Sequence, residues 1–155
     1  MYCKQKKPEA AERIKNEKRD GSNMDVRQMK ERCPGAIRRK PAVLHDYKLT
    51  ERLYADIDES AGRHVSGILW SISEKDLKNL DIYEGFPTFY TRKTVHVWTD
   101  TITGSRMQPA MVYIMTHAAK IRRDGMSYSD SYRKLCSMAA RAAGIQDEFM
   151  TEAKQ

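Results

Sequence analysis

The sequence predicts an α+β domain in which short antiparallel strands curl into a sheet or small barrel, interrupted by one helix and closed by another. Three observations carry this. Apolar residues alternate with a period of two through residues 64–72, 90–99 and 108–115. Residues 74–83, between the first two of these, carry helix start and stop signals. A second helical pattern, residues 130–143, follows the last strand. The 155 residues suffice for one core-bearing domain and are too few for two.

Taken in order, residues 1–20 are highly charged with almost no apolar periodicity. They read as an atypical tail, with the domain occupying 21–150. Ala10, Ala11 and Ile14 line at most a weak helix after Pro8. Gly21-Ser22-Asn23-Met24 is a loop signal. It feeds a helix with Val26, Met29 and Cys33 on one face, which Pro34-Gly35 ends. A loop entering a helix presents unpaired backbone N–H groups, where an anion can sit, although the same residues also make an ordinary turn with an N-cap. Strands follow at 42–49, 52–57 and 64–72. In the last, Ile68, Trp70 and Ile72 face one way and Val65, Gly67 and Leu69 the other, which suits a central strand. Strands 90–99 and 108–115 pair across a hairpin loop at 100–105. In the second, Ala110, Val112 and Ile114 share one face, and Met111, Tyr113 and Met115 the other. The closing helix has Ser129 as N-cap, Gly144 at its end, and an apolar stripe of Leu135, Met138, Ala139 and Ala142 edged by Tyr132.

The net charge of +7 is localised. Residues 1–40 hold 13 Lys/Arg against 6 Asp/Glu, and residues 41–155 hold 15 of each. A neutral domain behind a basic arm argues against a nucleic-acid groove. No apolar run reaches membrane-spanning length or resembles a signal peptide, so a soluble, cytoplasmic protein is expected. Cys3, Cys33 and Cys136 lack paired spacing and read as free thiols. His45, His64, His96 and His117 are scattered and form no metal-ligand pattern.

One carboxylate stands out. Ser73 is positioned to cap the helix over 74–83, Asp76 to complete a capping box, and Gly85 to stop it. Leu77, Leu80 and Glu84 are spaced i, i+3, i+7 and share a face. If the leucines point inward, so does Glu84. Burial and the negative end of the helix dipole both disfavour its anion and raise its pKa, as a general acid/base near neutrality requires. The spacing alone is met more often by a solvated glutamate than by a catalytic one.

Gly21-Ser22-Asn23-Met24, Arg32-Cys33-Pro34-Gly35-Ala36, Val65-Ser66-Gly67-Ile68-Leu69-Trp70, Leu80-Asp81-Ile82-Tyr83-Glu84-Gly85 and Val112-Tyr113, in this order and spacing, resemble the γ-glutamylcyclotransferase-like (AIG2-like) family. The resemblance implies a small mixed, mostly antiparallel β-barrel with flanking helices. It implies Glu84 as general acid/base, and a loop at Gly21, Ser22, Asn23 and Met24 holding a glutamyl moiety. By the same matching, Tyr90, Tyr113 and Tyr132 line the substrate pocket. The implied reaction is a lyase-type cyclisation of a γ-glutamyl amine or amino acid to 5-oxoproline, with no metal and no cofactor. The partner is then a small molecule, and the protein a monomer or homodimer. The family's apolar first strand and tyrosine are replaced here by Asn16-Glu17-Lys18-Arg19-Asp20. This predicts a missing barrel strand and leaves a catalytically silent binding module of the same fold as the alternative.

Overall fold

The computed structural model describes residues 2–5 and 26–150, with the backbone alone for 2–5, 38 and 39. The elements run β1 (Tyr2–Gln5), α1 (Val26–Arg32), β2 (Ile37–Arg52), β3 (Tyr54–Ile72), α2 (Glu74–Glu84), β4 (Tyr90–Thr101), β5 (Gly104–Met115), α3 (His117–Arg123) and α4 (Asp130–Ala142). The strands form a closed barrel in the order β1-β3-β2-β4-β5. Only β1 against β3 is parallel; the other pairings are antiparallel. The barrel is thus mixed and mostly antiparallel, as the α+β reading requires. It closes through two narrow seams, Val43 with Trp98 and Cys3 with Met111.

The tail reading needs correction at β1. Tyr2–Gln5 pairs with Leu69–Ile72 and so fills a strand position beside β3. Backbone pairing needs no apolar pattern when a strand is only four residues long, which hides it in a charged stretch. The proposed weak helix at Ala10, Ala11 and Ile14 lies outside the described residues.

Each strand face keeps to one of two apolar clusters. Ala42 and Leu44 of β2, Ile57, Val65 and Leu69 of β3, Val95 and Val97 of β4, and Ala110 and Val112 of β5 pack together, and all belong to strands. The opposite faces, with Ile68, Trp70, Ile72, Tyr113 and Met115, pack against Met29 of α1, Cys33 just after it, Leu80 of α2 and Cys136 of α4. A strand buried on both faces is what β3's double set of apolar residues predicts.

The structure departs from the pattern elsewhere. The stretches 52–57 and 64–72 are not separate strands: beyond the turn at Leu53, whose φ is 64°, both run within β3, which forms one long hairpin with β2. The charged pair Asp58 and Glu59 reads as loop in the sequence, yet these residues pair with Lys48 and Tyr47 through the backbone. The β4–β5 loop shortens to Ile102-Thr103, since pairing continues to Thr101 with Gly104. Helix α3 carries no apolar stripe, only Ala119 being buried, which conceals it in the sequence. The stripe of α4 is rotated: Tyr132, Cys136, Ala139 and Ala140 are buried, while Met138 is 66% exposed.

Candidate functional site

Helix α2 is set by its two ends. Ser73 Oγ accepts from the Asp76 amide at 3.1 Å, and Asp76 Oδ2 accepts from the Ser73 amide at 3.2 Å, a complete capping box. At the other end Gly85 takes a left-handed conformation (φ 68°). The Phe86 amide donates to the Asp81 carbonyl at 2.8 Å and the Gly85 amide to the Ile82 carbonyl at 3.3 Å, a Schellman pattern. These stops make Glu84 the last helical residue. Leu80 is fully buried, Leu77 packs partly against the core, and Glu84 is half-buried on their side of the helix.

The three matched tyrosines are all inside: Tyr90 is 8%, Tyr113 9% and Tyr132 6% exposed. Two of them share one residue's backbone. Tyr90 Oη donates to the Ala55 carbonyl at 3.0 Å, and the Ala55 amide donates to Tyr132 Oη at 3.0 Å. Tyr113 Oη donates to Asp81 Oδ1 at 2.6 Å, with the Arg92 guanidinium 3.5 Å from the same oxygen. Their rings belong to the same cluster, so the structure gathers Tyr90, Tyr113 and Tyr132 on the side of the barrel that α2 covers.

Electrostatics link Glu84 to this group. Burial raises the Tyr90 pKa far above the usual phenol value, and the negative charges of Glu84 and Asp56 add to the effect. Burial likewise raises Tyr132. Both phenols therefore stay protonated near neutral pH. Glu84 and Asp81 are both half-buried carboxylates on α2, and Asp81 is engaged by Tyr113.

Sequence reasoning missed the supports. Ala55 is held by the β2–β3 hairpin, where Asp56, with a fully buried side chain, accepts from Arg52 at 2.7 Å, Lys120 at 2.8 Å and the Met115 amide at 2.9 Å. Asp58 joins the same network through Arg52 and Lys120. Partners this distant in sequence, on β2, β3 and α3, leave no local signal. Asp81 lay within the Leu80 to Gly85 motif, but its task of holding Tyr113 depends on β5 packing across α2.

Gly21, Ser22, Asn23 and Met24 lie outside the described residues. Helix α1, which follows them, reaches α2 through the Arg32 guanidinium, 3.5 Å over the Tyr83 ring, and the Cys33 thiol, 3.6 Å from the Asp76 carbonyl. Among the described residues no group of three His, Cys, Asp or Glu side chains is arranged to hold a metal, and no helix is long and apolar enough to cross a membrane.

Residues 19–134 match the family described as "Gamma-glutamyl cyclotransferase, AIG2-like". Among solved structures, one titled "Gamma-glutamyl cyclotransferase" is 26% identical, with a TM-score of 0.63 over 82% of this chain and 78% of that one. An uncharacterized protein from Homo sapiens is also 26% identical, with a TM-score of 0.65 and the same coverage. A protein from Arabidopsis thaliana, 23% identical with a TM-score of 0.50 over 74% of this chain and 76% of its own, shares the fold. No curated protein matches at a significant level.

Proposed function

Given that the chain belongs to the gamma-glutamyl cyclotransferase, AIG2-like family, we propose that it cyclises a γ-glutamyl compound to 5-oxoproline with Glu84 as the general acid/base. The observation that carries this is a half-buried carboxylate, fixed at a helix end, whose charge reaches the buried Tyr90 hydroxyl. The substrate supplies its own nucleophile. Its α-amine attacks the γ-carbonyl carbon, the amide C–N bond breaks, and the amine departs. Intramolecular attack gains up to about 7–11 kcal/mol from orientation alone, so the protein's task is to fold the substrate and carry one proton. Glu84 takes that proton from the ammonium and returns it to the leaving nitrogen.

The proposal assigns glutamyl binding to the Gly21, Ser22, Asn23 and Met24 loop, with backbone N–H groups meeting the developing oxyanion. Tyr90, Tyr113 and Tyr132 form the wall through their rings, since their hydroxyls are engaged by Ala55 and Asp81. Strand β1 beside β3 removes one ground for a silent binding module, the missing strand. The test is release of 5-oxoproline from γ-glutamyl compounds by the purified protein and by Glu84→Gln. Turnover that survives the substitution sinks the mechanism.

A further inference from the structure

Two side chains more than nine-tenths buried keep a polar atom that meets no hydrogen-bond partner among the described residues, Trp70 Nε1 and Tyr128 Oη. The other such atoms, on Arg52, Lys75 and Arg123, belong to basic side chains that are only partly buried. Arg123 in addition rests its guanidinium carbon 3.8 Å from the Phe89 ring centroid. Trp70 lies on β3 between Cys3 and Arg38 of the neighbouring strands. Tyr128 instead joins the tyrosine group, in one cluster with Tyr90, Tyr113 and Tyr132. Its ring centroid is 5.3 Å from that of Tyr132 and 5.9 Å from that of Phe149, and the Arg133 guanidinium carbon lies 5.0 Å from it. Its amide donates to the Glu51 carboxylate, which Arg133 also holds. Backbone and ring are thus both fixed, and the hydroxyl is left uncommitted.

A phenol taken out of water without a partner is a cost that folded proteins rarely carry. The three matched tyrosines avoid it, since Tyr90 and Tyr132 bond to Ala55 and Tyr113 to Asp81. Tyr128 and Glu84 both act on the Tyr90 hydroxyl, which places the unpaired donor and the carboxylate around the same phenol. Burial raises the Tyr128 pKa far above the usual phenol value, so the group is a donor throughout the neutral range. We propose that Tyr128 Oη donates its hydrogen bond to an oxygen of the bound γ-glutamyl compound, a fourth tyrosine of the site and the one that meets its ligand through the hydroxyl. This rests on the cyclotransferase reading of the site around Glu84. The contact holds the ligand in place, and no bond to Tyr128 forms or breaks.

The experiment compares Tyr128→Phe with Tyr90→Phe in the full chain. Urea unfolding is measured without ligand, and 5-oxoproline release with γ-glutamyl-alanine and γ-glutamyl-ethylamine, two compounds with unlike leaving groups. Tyr128→Phe deletes a hydroxyl that has no partner, so its urea midpoint should stay the same or rise. Its kcat/KM should fall by roughly 3- to 30-fold, the value of one hydrogen bond. Tyr90→Phe should instead lower the midpoint, because the Ala55 carbonyl loses its donor. Unchanged kcat/KM in Tyr128→Phe, or a midpoint that falls, overturns the contact and leaves Glu84-dependent turnover in place. If the unaltered protein releases no 5-oxoproline, calorimetric binding of the two compounds decides. Binding weakened in Tyr128→Phe upholds the contact and removes the cyclotransferase reading; binding of neither compound removes both.

Discussion

Glu84 and Tyr90 make different demands on the same small region. The Tyr90 hydroxyl is buried and donates to a backbone carbonyl, so it stabilises the fold and stays protonated. Glu84 ends a helix, where its charge opposes the dipole. Two substitutions should therefore separate structure from chemistry. Tyr90→Phe leaves the Ala55 carbonyl without its donor and should cost about 1–2 kcal/mol in urea unfolding, with 5-oxoproline release reduced but measurable. Glu84→Gln should leave the melting temperature the same or slightly higher, and lower turnover by about 10²- to 10⁴-fold. A Glu84→Gln protein that is both unstable and inactive would place this residue in the fold instead.

The end of α2 sets where Glu84 points, and Gly85 sets the end of α2. At φ 68° an L side chain is strained, and a Cβ there would stand 3.1 Å from Phe89 Cβ. Gly85→Ala should thus cost about 1–2 kcal/mol and shift Phe89, moving both Glu84 and the ring under Arg123. Urea unfolding and 5-oxoproline assays on this variant should show the two losses together, with turnover falling further than stability explains. Retained activity with lowered stability would mean that the site tolerates a displaced helix end. The β2–β3 hairpin supports the other side, since the backbone amide and carbonyl of Ala55 join Tyr132 and Tyr90 and sit next to Asp56.

For the whole molecule, the network of Arg52, Asp56, Asp58 and Lys120 ties the hairpin to α3 and gives stability a pH dependence. Burial opposes ionisation of Asp58, but hydrogen bonds from Arg52, Lys120 and Thr50 outweigh it and hold the carboxyl well below its ordinary range. A carboxyl lowered on folding contributes fully above its unfolded pKa of about 4, and the contribution is lost as pH falls toward the folded value. Stability should therefore decline as pH drops from about 5 toward 2, and Asp58→Asn should lower stability at neutral pH and flatten that decline. Denaturant midpoints across this range decide it: parallel curves for the two proteins would exclude Asp58 as a source. On the same scale, β1 closes the ring that would otherwise leave the edges of β3 and β5 open.

The sequence by itself determined whatever depends on near neighbours. Helix α2 with its capping box and Gly85 stop, the double-faced β3, the β4–β5 pair and the Ser129 cap of α4 are each encoded within a turn or a strand, by backbone groups seeking local partners and by side chains of fixed period. It also singled out Glu84 and the three tyrosines as candidates, because the motif around Glu84 and its order relative to the other segments are linear properties. Tertiary structure alone decided the rest. That Tyr2–Gln5 joins the barrel, that Tyr90 and Tyr132 share the backbone of Ala55, and that Arg123 stacks on Phe89 are contacts between residues remote in the chain. Such contacts exist only once the barrel has closed and brought its strands and helices together.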